Sequence, residues 1–91
     1  MSTKEKVLEE ESTMTETVHE NEIILHNDDV NTFEHVIKTL IEVCDHSAEQ
    51  AEQCSIIVHY KGKCGVKSGP MSYLKPRCTK LLQAGLSAEI I

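Results

Sequence analysis

Tryptophan is absent from the chain, and the only aromatic side chains are Phe33, Tyr60 and Tyr73. With so few rings, and 40% of its 91 residues hydrophobic, any core must be aliphatic. A chain of this length makes one domain with a small core and no deep cavity. No apolar run approaches the roughly eighteen residues that a membrane-spanning helix needs. The start carries no charged-then-apolar leader, so the expected compartment is the cytoplasm, with no membrane partner. Positive charge is scarce as well: nine Lys and Arg stand against fifteen Asp and Glu, a net charge of −6. That balance excludes a nucleic-acid binder, whose phosphate contacts require clustered Lys and Arg. It also disfavours an anionic membrane surface.

The four cysteines, Cys44, Cys54, Cys64 and Cys78, contain no CxxC pair, which argues against a zinc knuckle or a thioredoxin-type motif. Cys54-x4-His59-x4-Cys64 is not a zinc spacing and lacks an evident fourth ligand. Reduced, mostly buried thiols are the simplest reading, with no metal and no cofactor. A Cys–His nucleophile has neither an oxyanion hole nor a group to orient the base, so no enzyme is expected.

The charge is unevenly placed. Residues 1–20 hold two lysines and six glutamates, with no apolar periodicity. This composition reads as a flexible N-terminal extension. Residues 21–91 carry seven basic and nine acidic residues and form the folded domain.

Six elements are legible in that domain. Residues 22–26 form a strand. Asn31 caps a first helix, with Glu34 reaching back, and Phe33, Val36, Ile37, Leu40, Ile41 and Cys44 make its apolar stripe. Ser47 opens a second helix whose inner face is Ala48, Ala51, Cys54, Ile57 and Val58, and Gly62 stops it. Residues 63–67 form a second strand, and Ser68-Gly69-Pro70 a turn. A third helix follows through Met71, Leu74, Cys78, Leu81 and Leu82 to Gly85. Pro76 either kinks it or sits in its first regular turn. Residues 86–91 form a closing strand. The expected fold is α+β, a single small domain in the order β-α-α-β-α-β, with a three-stranded, mainly antiparallel sheet packed on three helices. His19, His26, His35 and His46 read as surface residues.

The stretch Ile23-Ile-Leu-His-Asn-Asp-Asp-Val30 ends an apolar strand in three polar acceptors just before a helix. Asn and Asp commonly serve turns. A second reading comes from the short Asp45-His46 link, which makes the first two helices antiparallel and sets the end of the second beside the start of the first. Asn27, Asp28 and His59 then share one corner, next to Phe33 and Val36. A carboxylate, an amide oxygen and an imidazole nitrogen supply the three acceptors that an ammonium group needs. Each such bond contributes roughly 1.5–3 kcal/mol when shielded. A neighbouring apolar hollow adds a similar amount for one large side chain. The composite ligand is a peptide N-terminus, held at about micromolar affinity.

"ILHNDDVNTFEHVI", followed by "AEQCSIIVHYKGKCGV", resembles the ClpS family, adaptors of the Clp protease in the bacterial N-degron pathway. The resemblance covers roughly residues 22–67 and implies the ClpS-like α+β fold. It also implies that Asn27, Asp28 and His59 bind the substrate α-amino group. Asp29, Asn31, Phe33, Val36, Ser55 and Val58 would lie in or beside the side-chain pocket, with Ile90 as a further apolar wall. It implies docking of the domain, including Lys75, on the N-terminal domain of a Clp AAA+ unfoldase, with the N-terminal extension helping to hand over N-degron substrates. Phe33 and Ser55 stand where the family often has Met, and Asn31 where Thr is common. A monomer with no catalytic activity is expected. Set beside the adaptor reading is an interaction module of similar architecture, such as the factor-binding domain of the ribosomal stalk, which has no amine-binding corner.

Overall fold

The structure is a computed structural model and describes residues 20–91. The expected N-terminal extension, apart from Glu20, lies outside the described residues, as does His19. Six elements follow one another: β1 (Asn21–His26), α1 (Phe33–Cys44), α2 (Ala48–Lys61), β2 (Lys63–Gly69), α3 (Met71–Gln83) and β3 (Ser87–Ile90). The order is the expected β-α-α-β-α-β. The strands form one sheet in the order β2-β1-β3, with both pairings antiparallel.

Alternation along β1 buries Ile23 and Leu25, which meet Leu40 of α1 and Leu74 and Leu81 of α3 in an aliphatic core. Each such side chain contributes roughly 1.5–3 kcal/mol by leaving water. The β1–β2 register shifts between Ile23 and Ile24, whose partners are Lys67 and Gly65. The residue skipped is Val66, which is buried in the core. This bulge belongs to a strand longer than expected, since β2 continues through Ser68 and Gly69.

Helix α1 is capped by Thr32, whose hydroxyl accepts from the His35 backbone N–H at 3.1 Å. Asn31, the expected cap, is committed elsewhere: its backbone N–H and side-chain amide both donate to Asp28. The α1–α2 link is as short as the sequence indicates, because Asp45 takes the left-handed conformation at φ 57° and Ser47 caps α2 directly. So tight a link drives His46 inward. It is only 4% exposed, and Nε2 donates to the Val66 carbonyl at 2.6 Å, correcting the surface assignment. His35 is half-buried and donates from Nε2 to Ala84 O at 2.8 Å.

The inner face of α2 is Ala51, Cys54, Ser55 and Val58, at i, i+3, i+4 and i+7. Ala48 and Ile57 are exposed, and Ser55 replaces them because its hydroxyl is satisfied by Ala51 O at 2.9 Å. Gly62, at φ 93°, ends the helix. Helix α3 starts at Met71 and carries Pro76 in its interior. Arg77 Nη1 donates to Tyr73 O across that turn at 2.8 Å, and its guanidinium lies 3.7 Å from the Tyr73 ring centroid. Among the described residues no helix is long and apolar enough to cross a membrane.

Candidate functional site

Leaving β1, the Asn27 backbone N–H donates to Gly62 O at 2.9 Å. This one bond fastens the loop after β1 to the end of α2, at Gly62, three residues after His59. Asn27 and Asp28 are thereby carried to the helix terminus. Together with Asn31, Phe33, Val36, Ser55, Val58 and His59 they line one open cavity between the start of α1 and the end of α2.

The Asp28 carboxylate organises the loop that carries it. Oδ1 accepts from the backbone N–H groups of Val30 and Asn31, each at 2.9 Å. Oδ2 accepts from the Asn31 side-chain amide at 2.8 Å. The Asn31 backbone N–H is the strongest influence holding this carboxyl below the usual carboxylate range; partial burial opposes it, and the Asn31 amide, the Val30 N–H and the His35 ring add to the lowering. A carboxylate offers about four acceptor positions, so Oδ2 keeps one for a donor in the cavity. The acceptors that sequence suggests as a turn therefore make a turn, and the turn holds at the cavity a carboxyl whose ionised form it favours.

The side-chain amide of Asn27 and the imidazole of His59 have no hydrogen-bond partner among the described residues. His59 instead touches two rings, Phe33 at 5.2 Å between centroids and Tyr60 at 4.9 Å. Deeper in, the walls are apolar: Val36, Val58 and two residues the sequence reading missed, Leu25 and Leu86. His26 also lines the cavity and was likewise missed; its Nε2 lies 2.6 Å from Glu89 Oε2.

Two expected residues stand outside the lining. Asp29 is exposed at the outside of the turn. Ile90 pairs with Ile23 at the far end of β3 and packs on the core. Period-two alternation places Leu86, Ala88 and Ile90 on one face, and of these it is Leu86 that lines the cavity. Gly85, at φ 91°, turns the chain so that Leu86 enters the wall. Lys75 is exposed on α3, away from the cavity. Cys44, Cys54 and Cys78 are buried and Cys64 half-buried, all as free thiols. Among the described residues no cluster of three or more His, Cys, Asp or Glu could hold a metal ion.

Residues 13–89 match the family model described as ATP-dependent Clp protease adaptor protein ClpS. The chain belongs to the ClpS family. A ClpS of Nitratidesulfovibrio vulgaris (strain Miyazaki F) is 38% identical over 55 residues, covering 58% of this chain and 55% of that relative. The ClpS of Thermosynechococcus vestitus is 35% identical over 66 residues, covering 71% and 70%. The chain thus spans about half the length of the first of these ClpS proteins. Among solved structures, Agrobacterium tumefaciens ClpS2 bound to L-phenylalaninamide superposes with a TM-score of 0.63 at 19% identity, covering 79% of this chain and 96% of that one. The likeness establishes the ClpS fold.

Proposed function

We propose that this ClpS chain is a non-catalytic adaptor that binds the free α-amino group and large hydrophobic first side chain of a polypeptide, then delivers it to a Clp AAA+ unfoldase. The observation that carries the reading is the convergence of Asn27, Asp28 and His59 on one cavity with apolar depth. An ammonium donates to the free position on Asp28 Oδ2, to the Asn27 amide oxygen and to an imidazole nitrogen of His59. The first side chain lies against Val36, Val58 and Leu86. Carboxylate charge and three acceptors select a protonated amine over an amide nitrogen, which has no charge and fewer donors.

The A. tumefaciens relative supports this, since L-phenylalaninamide is a free α-amine on a benzyl side chain. The family match favours the adaptor over a stalk-like module, which requires no such corner. Delivery takes place in the cytoplasm, through docking on the unfoldase's N-terminal domain by a surface that includes Lys75, with residues 1–20 assisting transfer from a monomeric adaptor. Deleting residues 1–20 leaves peptide binding intact and slows degradation.

The test is Asp28→Asn, which keeps an oxygen for the turn and removes the charge. Affinity for a peptide beginning in Phe falls at least about tenfold while the melting curve stays cooperative. Unchanged affinity in that variant contradicts the reading.

A further inference from the structure

We propose that Phe33 is a positioning residue for His59, coupling occupancy of the apolar cavity to hydrogen bonding of the amine; this rests on the amine-binding reading above. His26, His35 and His46 each have Nε2 within 2.8 Å of an oxygen partner. His59 has no such partner among the described residues, so packing alone sets the direction of its ring. Two rings do the packing. Tyr60 meets it edge-on at 4.9 Å and 85°, but it is the next residue on the same helix and is 78% exposed. Phe33 meets it at 5.2 Å and 59° from a different element, the first residue of α1, whose backbone is pinned by the Thr32 cap. Tilted ring pairs at 4.5–7 Å are favourable beyond the area they bury. Only the Phe33 contact ties the imidazole to the side of the cavity that carries Asp28.

Phe33 is also a wall of that cavity, and 45% of it remains exposed at the mouth. An entering side chain therefore touches the ring that steadies the imidazole. A first residue that leaves Phe33 in place keeps His59 directed at the amine. One that pushes Phe33 aside frees the imidazole and loses that acceptor. Selection among hydrophobic first residues is then read partly at the amine, and not by cavity shape alone.

The experiment is a double-mutant cycle on the full chain: wild type, Phe33→Leu, His59→Ala and the pair, titrated with a peptide beginning in Phe and with its N-acetylated twin. Leucine preserves apolar volume and removes the ring, and Phe33 is exposed enough for the variant to fold. In the wild-type background His59→Ala weakens free-peptide binding about tenfold. In the Phe33→Leu background the same change costs under about threefold, since residues in contact do not act additively. In the unliganded proteins, His59 side-chain couplings and NOEs report one χ1 rotamer in the wild type and several in Phe33→Leu, which losing a mere wall would not produce. Multiplying effects, or an unchanged rotamer distribution, overturn the proposal alone. Equal binding of free and acetylated peptide by the wild type overturns the amine-binding reading and this inference with it.

Discussion

The side-chain amide of Asn31 donates at once to Asp28 Oδ2 at 2.8 Å and to Gly85 O at 2.9 Å, a carbonyl 54 residues further along the chain. One amide thus joins the acid at the rim of the cavity to the turn that brings in Leu86. Asn31→Ala removes both bonds and leaves a half-buried carboxylate short of a donor. We expect a loss of about 1–3 kcal/mol in urea unfolding with unchanged m, together with weaker peptide binding. A change below about 0.5 kcal/mol, the usual size of a surface substitution, would mean the bridge is incidental.

Asp28 also predicts a pH dependence. Its carboxyl is held below the ordinary range in the folded chain, chiefly by the Asn31 N–H. A depressed folded value contributes stability that is complete above the unfolded carboxylate value of about 3.9 and is lost as pH falls through the folded value. Acid titration of thermal stability should therefore be shallower in Asp28→Asn than in wild type below about pH 4. Parallel curves would show that the turn does not favour the ionised form.

The thiols are predicted to differ in reactivity. Burial pushes Cys44 up to about 11 and Cys54 up to about 12, in the latter with the adjacent Cys64 thiol adding, and it raises Cys78 as well. Half-buried Cys64 is therefore the first to be alkylated by iodoacetamide at mildly alkaline pH, because the thiolate is the reacting species. Peptide mapping that finds Cys44 or Cys54 modified as quickly would indicate that α1 or α2, respectively, opens readily from the core.

His46 joins the interhelix link to the bulge in β2. Its Nε2 satisfies Val66 O, and Nδ1 is buried without a partner among the described residues. His46→Ala leaves the Val66 carbonyl unpaired inside the domain and opens a void, so a loss of about 2–4 kcal/mol is expected from the two effects. A melting temperature within a degree of wild type would refute this role.

The fold was legible because periodicity and punctuation agree: Gly62 and Gly85 end helices, and Ser47 begins one. Where local signals competed, tertiary contacts decided. Asn31 and Thr32 are both competent caps, and the Asp28 turn took Asn31 for itself. Ser55 is polar by composition and buried by position, because a hydroxyl on a helix finds its own carbonyl four residues back. His46 gave no local sign of burial, since its partner lies in a strand 20 residues away. At the site, antiparallel helices made the meeting of Asn27, Asp28 and His59 foreseeable, and the backbone bond to Gly62 that fastens it was not. Leu86 was not foreseen, because choosing between the two ends of β3 requires its register against β1. The contact of Phe33 with His59 was equally hidden, as it depends on rotamers at two helix ends.

The central claim is that this cavity recognises a protonated chain terminus. The most direct measurement is fluorescence anisotropy of the wild-type chain with a labelled peptide beginning in Phe and with the same peptide N-acetylated. Losing the ammonium removes charge-assisted bonds of roughly 1.5–3 kcal/mol each, so the acetylated form should bind at least about a hundredfold more weakly than a micromolar free peptide. Equal affinities for the two, or no binding of either, would contradict the account.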